Sequence, residues 1–211
     1  MARWDAGAPE RLRTAALDLF AEHGYDAVTV TQIAERAGLT RRTFHRYFSD
    51  KREILFAGSE RLPPAVAEAV HTAARGLPPL QAALSALREV GAEVSETVTD
   101  SGQRRALIES SAELAERERS KLAEVTTALQ SALEQRGAAP AEAHFAARVA
   151  SLVSEEAFGR WTRGEGPFYK CFDGAEAALH AVLTTRPTAA SHTQQPSRCV
   201  LADCAEAAKT H

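Results

Sequence analysis

The feature that most constrains this chain is a pair of short helical patterns, separated by a glycine, between residues 29 and 51. Three residues of the first pattern recur at helical spacing and so share one face: Ile33, Ala34 and Ala37. They predict a helix over about Val30 to Ala37. Gly38 ends it, because a residue just past a helix end often needs a positive φ, which glycine adopts without penalty. Two short helices joined in this way predict a helix-turn-helix, an arrangement that reads DNA.

Threonines mark where both helices start. Thr29 and Thr40 each precede an apolar periodic run, and a hydroxyl there can accept a hydrogen bond from an unpaired N–H of the first turn. In the second helix Phe44 and Phe48 lie four residues apart and share one face with Leu39. The other face is left to four side chains that carry or can gain positive charge: Arg41, Arg42, His45 and Arg46.

Net charge alone argues against a nucleic-acid partner, because the chain has 25 Lys plus Arg against 28 Asp plus Glu, a formal charge of −3. Residues 38–52 depart from this balance, with five Lys or Arg, one Asp and a local charge of +4. Local clustering is what binding to phosphates requires. Arginines at the start of a recognition helix can also fork onto O6 and N7 of guanine in the major groove. The segment is therefore expected to bind double-stranded DNA.

The same stretch resembles the DNA-binding region of the TetR (tetracycline-repressor-like) transcriptional regulators. That region has a long first helix ending in F-x-x-x-G-[YF], followed by T-x-x-x-I-A-x-x-A-G-[VL]-[ST]-x-x-T-[FL]-Y-x-[YH]-F-x-x-K-x-x-L. The matching residues are Phe20, Gly24, Tyr25, Thr29, Ile33, Ala34, Ala37, Gly38, Leu39, Thr40, Thr43, Phe44, Tyr47, Phe48, Lys51 and Leu55. The resemblance covers about residues 10–56. It departs at His45, where the family usually has an aromatic residue, and the charge of a histidine depends on pH near neutrality.

Taken position by position, the resemblance implies two kinds of DNA contact. Base edges are expected to be reached by Thr31, Arg41, Arg42 and His45. Phosphates are expected to be held by Thr29, Thr43, Arg46, Tyr47 and Lys51, with Thr40 on the same surface. Arg36 and Arg52 are expected to be ordinary solvated charges.

Helical periodicity continues to about residue 183, and no alternating stretch is long enough to predict a sheet. The expected fold class is all-α, with an N-terminal three-helix helix-turn-helix domain followed by a helical ligand-binding and dimerisation domain. About nine helices are predicted: one from Pro9 or Glu10 to Glu22, the two of the helix-turn-helix, a fourth around Ile54 to Phe56 interrupted at Pro63-Pro64, and five more over 80–98, 103–117, 120–135, 140–161 and 174–183. The expected domains are residues 1–52 and 53–185, with a flexible tail over 186–211.

The resemblance, and not composition, implies that the last two long helices form a four-helix bundle with their copies in a second subunit. Alanines on these helices would permit the helices of the two subunits to approach closely, although alanine is also simply a good helix former. The six alanines are Ala146, Ala150, Ala157, Ala175, Ala178 and Ala181. A homodimer would place two recognition helices about 34 Å apart on a palindromic operator.

In relatives a small molecule between the regulatory helices changes the separation of the two reading heads, so the resemblance implies an unidentified effector here. Five aromatic residues could line an apolar pocket, with core packing the favoured role for most of them: Phe145, Phe158, Trp161, Phe168 and Tyr169. No ligand-binding residue is assigned.

Other classes of protein find little support. No run approaches the ~18 apolar residues of a membrane helix, and no hydrophobic signal core begins the chain, so a cytoplasmic protein is expected. The sequence has no metal-binding pair, nucleophile elbow or phosphate-binding glycine loop, so neither an enzyme nor a cofactor is expected. Non-specific DNA architecture is disfavoured, because residues 53–211 hold 16 Lys plus Arg against 21 Asp plus Glu.

The function expected is a sequence-specific regulator of transcription, a repressor in preference to an activator. Cysteines leave one alternative, because Cys199 and Cys204 lie five residues apart and a redox-responsive regulator would need such a pair. Cys171 is the third cysteine, and an odd, scattered set fits a reducing compartment better than a disulfide framework.

Overall fold

The computed structural model describes residues 7–98 and 101–184, and this part of the chain contains α-helices and no β-strand. The all-α fold class is therefore confirmed. Ten α-helices follow one another, with a 3₁₀ turn at Ser59–Arg61 after the fourth: α1 Ala8–His23, α2 Val30–Arg36, α3 Arg41–Tyr47, α4 Glu53–Phe56, α5 Leu62–Thr72, α6 Pro79–Thr97, α7 Ser101–Ser110, α8 Ala112–Gln135, α9 Pro140–Thr162 and α10 Phe168–Thr184.

The N-terminal helices pack around one apolar cluster. Phe20 of α1, Ile33 of α2 and Phe44 of α3 are at most 2% exposed within it. The cluster is not confined to these helices, because Ile108 of α7 and Leu114 of α8 are buried in it as well. Burying a side chain of this size contributes about 1.5–3 kcal/mol, and a three-helix unit of some fifty residues buries little on its own. The C-terminal helices thus complete the core of the N-terminal part.

A second apolar cluster joins α5, α6, α8, α9 and α10. The inward face of α9 is largely alanine, which lets three other helices approach it closely. Four of the alanines predicted to face a second subunit are buried in this cluster instead, so that prediction is wrong for Ala146, Ala150, Ala157 and Ala175. Larger side chains from the neighbouring helices fill the space against them, among them Leu84, Leu129 and Phe172.

The chain breaks before Pro63-Pro64, but not because of these prolines. α4 ends at Phe56, and Gly58 follows with φ +89°, a conformation that favours glycine. The two prolines occupy the first turn of α5. A proline costs nothing there, because its missing N–H would have no partner within the helix. The prolines predicted to interrupt a helix therefore begin one.

The predicted helix boundary at residues 117–120 is wrong. α7 ends at Ser110 and α8 continues without a break through that region. The residue between them, Ser111, is buried and extended, with φ −130° and ψ +121°. In one continuous helix Ile108 and Leu114 would point about 120° apart around the axis. The break at Ser111 allows both side chains to enter the N-terminal core.

The last helix starts earlier than predicted. α10 begins at Phe168, because the turn after α9 is completed by Gly164 and Gly166, both with positive φ. Gly174, predicted to start this helix, lies in its interior. The earlier start places Phe168 in the second cluster, where it is 2% exposed.

Some predictions lie outside the described residues. The flexible tail over 186–211 and the cysteine pair Cys199 and Cys204 are among them. The division of the chain into domains at residue 52 lies within the described residues and stays a prediction. Within residues 7–98 and 101–184, no helix is both long and apolar enough to cross a membrane.

Candidate nucleic-acid interface

α2 begins with a reciprocal pair of hydrogen bonds. The Thr29 hydroxyl accepts from the backbone N–H of Gln32 at 3.3 Å, and the Gln32 side-chain oxygen accepts from the backbone N–H of Thr29 at 2.8 Å. This capping box satisfies two N–H groups that would otherwise be unpaired. A cap of this kind contributes about 1 kcal/mol. Thr29, predicted to hold a phosphate, therefore also determines where α2 starts.

The turn between α2 and α3 has the geometry that its sequence predicts. Gly38 has φ +68°, and the next residue, Leu39, donates its N–H to the carbonyl of Ala34 at 2.8 Å. Thr40 then caps α3, because its hydroxyl accepts from the backbone N–H of Thr43 at 3.1 Å. The two hydroxyls are 3.0 Å apart. Both ends of the turn are thus held by local hydrogen bonds, which fixes the start of α3.

The buried face of α3 decides which of its side chains remain available. Phe44 is fully buried and Phe48 is 7% exposed, with ring centroids 5.7 Å apart. Anchored in this way, α3 turns its opposite side to solvent. The predicted site residues exposed on α3 and at the starts of both helices are Thr29, Thr31, Thr40, Arg41, Arg42, His45 and Arg46, whereas Thr43 and Tyr47 are half-buried.

Arg46 and Tyr47 are in contact at the end of α3. The Arg46 guanidinium donates to the Tyr47 hydroxyl at 2.9 Å and lies 4.7 Å from the centroid of its ring. A cation over an aromatic face at an exposed site contributes about 0.5–1 kcal/mol. The pair holds one guanidinium beside the exposed face of α3. The phosphate contacts predicted for both residues stay predictions.

Lys51 has a different environment from these side chains. Its ammonium donates to the backbone carbonyls of Tyr25 at 2.7 Å, Val28 at 3.0 Å and Asp26 at 3.4 Å. It also lies 4.1 Å from the centroid of the Tyr25 ring. An ammonium has three donors, so the loop between α1 and α2 offers a partner for each. The phosphate contact predicted for Lys51 stays a prediction.

A bidentate ion pair joins α2 to α1. Arg36 donates to the two carboxylate oxygens of Glu22 at 2.7 and 3.1 Å. The hydrogen bond from Arg36 holds the pKa of the Glu22 carboxyl below its ordinary value. Because both side chains are exposed, the pair matters more for its fixed fork geometry than for its charge. Arg36, predicted to be an ordinary solvated charge, is therefore paired.

The Asp50 carboxylate organises the turn between α3 and α4. It accepts from the backbone N–H groups of Arg52 at 2.9 Å and Glu53 at 3.2 Å, and from the Arg52 guanidinium at 2.6 Å. The hydrogen bond from the Arg52 side chain lowers the pKa of Asp50, although partial burial opposes it. Arg52 also pairs with Glu113 of α8 at 3.1 Å. Arg52, predicted to be solvated, thus links the end of the helix-turn-helix to α8.

Comparison with known proteins bears on this arrangement. Residues 12–57 match the family described as bacterial regulatory proteins, tetR family. The match runs from α1 to the end of α4 and covers about a fifth of the chain. A curated relative, the uncharacterized HTH-type transcriptional regulator YdeS of Bacillus subtilis strain 168, is 38% identical over 64 residues, which are 28% of this chain. The match spans about a third of the length of that relative, 32%.

Two solved structures extend the likeness to the TetR-family fold beyond the helix-turn-helix. A regulator assigned to the TetR family from Syntrophomonas wolfei matches with a TM-score of 0.56 and 15% identity, over 86% of this chain and 97% of that one. The complex of SmeT with triclosan matches with a TM-score of 0.52 and 22% identity, over 82% and 91%. SmeT is the repressor of the Stenotrophomonas maltophilia multidrug efflux pump SmeDEF. At these identities the likeness is one of fold.

Arginines hold the last helix of the N-terminal part against the C-terminal helices. Arg104 of α7 donates to the backbone carbonyl of Leu55 in α4 at 3.0 Å, and its guanidinium lies 5.3 Å from the centroid of the Phe56 ring. Burial lowers the pKa of Arg104, although an arginine stays charged in proteins. Arg117 of α8 pairs with Glu53 at 2.8 Å. α4 is thus tied to both α7 and α8.

Three residues that position the interface were not identified from the sequence. Gln32 had a visible signal, because a threonine followed three residues later by glutamine is typical of a capping box. The pairing of Glu22 with Arg36 spans fourteen positions, and that of Arg104 with Leu55 spans 49. Neither separation leaves a periodic pattern in the sequence, so these contacts become visible only in the fold.

Of the five aromatic residues considered for a pocket lining, three pack in or against the second apolar cluster, which is the role favoured for most of them. Phe158, Trp161 and Phe168 pack together, with the Phe168 ring centroid 4.6 Å from Phe158 and 6.4 Å from Trp161. Phe145 and Tyr169 are 68% and 49% exposed instead. An open cleft of about 230 Å³ lies between α7 and α9, lined by Gly102, Arg105, Ala106, Glu109, Gly159, Thr162 and Arg163. Among the described residues, no group of three or more His, Cys, Asp or Glu could hold a metal ion.

Proposed function

We propose that the chain is a sequence-specific, DNA-binding transcriptional regulator that represses from a palindromic operator as a homodimer and is released by a small molecule. The observation that carries the proposal is that one face of α3 is apolar and buried while the other is cationic and exposed. Phe44 is fully buried on one face, while Arg41 and Arg42 are exposed in the first turn. The first turn of a recognition helix is where side chains reach base edges in the major groove.

Charge supports the same surface. Residues 38–52 carry +4 in a chain of formal charge −3, so attraction to phosphates is concentrated at α3 and the turn after it. In the proposed complex Thr31, Arg41, Arg42 and His45 read base edges. Thr29, Thr40, Thr43, Arg46 and Tyr47 contact the backbone of the duplex. A bidentate arginine on guanine contributes about 1–3 kcal/mol of discrimination against other bases.

An exposed apolar face on α9 and α10 supports the homodimer. Phe145 and Leu152, two turns apart on α9, are 68% and 62% exposed, and Val182 and Leu183 on α10 are 75% and 68% exposed. Large apolar side chains exposed on two helices that pack against each other suit an interaction site. A symmetric dimer through these helices uses the same patch on both subunits and presents two copies of α3 to the two halves of an operator.

The effector is proposed on the likeness in fold to SmeT, which is in complex with triclosan. Release of DNA requires the ligand to bind one arrangement of the reading heads better than the other, since equal affinity shifts nothing. A movement of α7 or α8 on ligand binding would be transmitted to α4, because Arg104 of α7 and Arg117 of α8 both bind α4. We propose no catalytic activity, and a cytoplasmic location where the operator is accessible.

The test is a selection of bound duplexes from a random DNA library at about 0.15 M salt, because affinities without a stated salt concentration cannot be interpreted. The matched control is the Arg41→Ala, Arg42→Ala double variant, whose substitutions lie on the exposed face of α3. Enrichment of a palindrome by the unaltered protein, lost in the variant, supports the proposal. Absence of enrichment by folded, dimeric protein would refute operator binding without a co-ligand.

A further inference from the structure

We infer that Lys51 is a positioning residue: it holds the loop that sets the start of α2, and it does not neutralise a DNA phosphate. The inference rests on the proposed function, because it concerns how the DNA-binding surface is assembled. It is carried by the three carbonyls that receive the Lys51 ammonium, at 2.7, 3.0 and 3.4 Å.

The loop between α1 and α2 needs such a donor. Tyr25 and Val28 are 3% and 1% exposed, so their side chains draw this irregular segment against the core. Backbone carbonyls in such a position need hydrogen-bond partners, and the segment forms no helix that would supply them. Lys51 supplies a charged donor, and charge-assisted hydrogen bonds are roughly twice as strong as neutral ones. The Tyr25 ring adds a cation–π contact at 4.1 Å.

The position of Lys51 in the chain gives the contact its consequence. Val28 directly precedes Thr29, the residue that caps α2. Lys51 itself follows α3 by four residues. One ammonium therefore ties the segment after α3 to the segment before α2, so the outer ends of both helices are held to each other.

A phosphate contact would require this arrangement to be given up. The Lys51 side chain is half-buried and its ammonium has a carbonyl for each donor, whereas Arg41 and Arg42 are exposed. Moving the ammonium to a phosphate would leave the three carbonyls with one partner fewer, and the loss is costly at the part-buried contacts with Tyr25 and Val28. The arginines of α3 can reach a phosphate or base without losing a comparable set of bonds.

The first experiment needs no DNA. Amide hydrogen exchange is measured on the full chain for the unaltered protein, Lys51→Met and the control Arg75→Met, which removes one positive charge from an exposed loop between α5 and α6. We expect exchange at residues 28–33 to rise about tenfold or more in Lys51→Met and to stay unchanged in Arg75→Met, because local opening becomes easier where the carbonyls lose their donor. Unchanged exchange at residues 28–33 in Lys51→Met would overturn the inference.

The second experiment measures affinity for the selected operator at several salt concentrations. A lost phosphate contact flattens the slope of log affinity against log salt by about 0.9 for each phosphate. A lost positioning contact lowers affinity by roughly tenfold and leaves that slope unchanged. We expect the second pattern for Lys51→Met. A flattened slope with normal exchange at residues 28–33 would assign Lys51 to a phosphate and overturn the inference.

If Lys51→Met does not fold, Lys51→Arg takes its place. It keeps the charge, but the longer side chain with its planar guanidinium does not place its donors where the single ammonium of lysine lies, between the carbonyls and the Tyr25 ring. We therefore expect faster exchange at residues 28–33 in this variant too, and unchanged exchange would count against the inference. Because exchange is measured without DNA, a failure of operator binding and a failure of the role of Lys51 give different results.

Discussion

The ring of Phe168 lies on the backbone of Gly91, with no room between them for a side chain on residue 91. A β-carbon at this position of α6 would overlap two atoms of the ring. Phe168 cannot easily move away, because it is 2% exposed and packs against the rings of Phe158 and Phe172. The missing side chain at residue 91 is what lets α10 approach α6.

Gly91→Ala is expected to destabilise the protein, although alanine favours a helix over glycine by about 1 kcal/mol. Overpacking of a full core costs about 1–3 kcal/mol, and here the obstacle is a buried ring. Gly159→Ala is the matched control, because its β-carbon would meet only the flexible end of Arg163 at 3.2 Å. Thermal unfolding should show a lower Tm for Gly91→Ala and an unchanged or higher Tm for Gly159→Ala. Equal shifts in both variants would contradict this account.

Arg42→Ala is expected to weaken operator binding by roughly 1–3 kcal/mol and to relax discrimination at one base pair. The reason is that a bidentate contact with guanine would be lost from the exposed first turn of α3. Affinities for the selected operator and its single-base variants, at one salt concentration, provide the measurement. Arg75→Ala removes the same charge far along the chain and should bind as the unaltered protein does. A uniform loss over all base pairs would assign Arg42 to a phosphate.

Arg104→Met is expected to lower the free energy of unfolding by about 1–3 kcal/mol, because the carbonyl of Leu55 loses its side-chain donor. Its neighbour provides the control, since Arg105 pairs with Glu109 and Glu118 nearer the surface. Surface pairs contribute about 0–1 kcal/mol, so Arg105→Met should have the smaller effect. Urea unfolding of both variants decides the order. A larger loss in Arg105→Met would show that the contact of Arg104 with α4 is not what stabilises the junction.

Phe145→Glu and Leu152→Glu are each expected to raise the dissociation constant of the dimer at least tenfold, because an unpaired charge would be buried in the apolar interface. Sedimentation velocity over a range of concentrations measures this constant. Leu122→Glu is a suitable control, since Leu122 is 39% exposed on α8. A dimer unaffected by both Phe145→Glu and Leu152→Glu would place the interface elsewhere.

The difference in Tm between the unaltered protein and Asp50→Asn is expected to shrink as pH falls from 5 to 3. The pKa of Asp50 is lowered in the folded state by its hydrogen bond with Arg52. The stabilisation from such a carboxylate is fully present above its ordinary pKa near 3.9 and is lost as pH falls through the lower folded value. Calorimetry at pH 5, 4 and 3 tests the trend. A constant difference would show that the ionised carboxylate of Asp50 does not contribute.

Local signals predicted the helix-turn-helix well. Thr29 and Thr40 cap the two helices as predicted, and α2 ends at Arg36, one residue before the predicted end. These features depend on hydrogen bonds within four residues, and the turn depends on Gly38. Such short-range causes can be recognised in the sequence alone.

The missed features have causes that lie far along the chain. The break at Ser111 is explained by the burial of Ile108 and Leu114 in a core made by α1–α4, and periodicity within α7 and α8 carries no sign of it. Lys51 matches a family position for phosphate binding, while its carbonyl partners lie 23 to 26 positions earlier. The side chains of the candidate site were identifiable by type, but the groups that hold them in place were not.

The burial of Ile108 and Leu114 among the N-terminal helices has a consequence for modularity. A chimera joined at residue 52 would transplant the recognition helix without two side chains of the apolar cluster in which Phe44 is buried. The receiving regulatory half would have to offer apolar groups of the same shape at the equivalent bend. A chimera designed to exchange DNA specificity between relatives should therefore take α7 and the first turn of α8 from the same protein as the N-terminal helices.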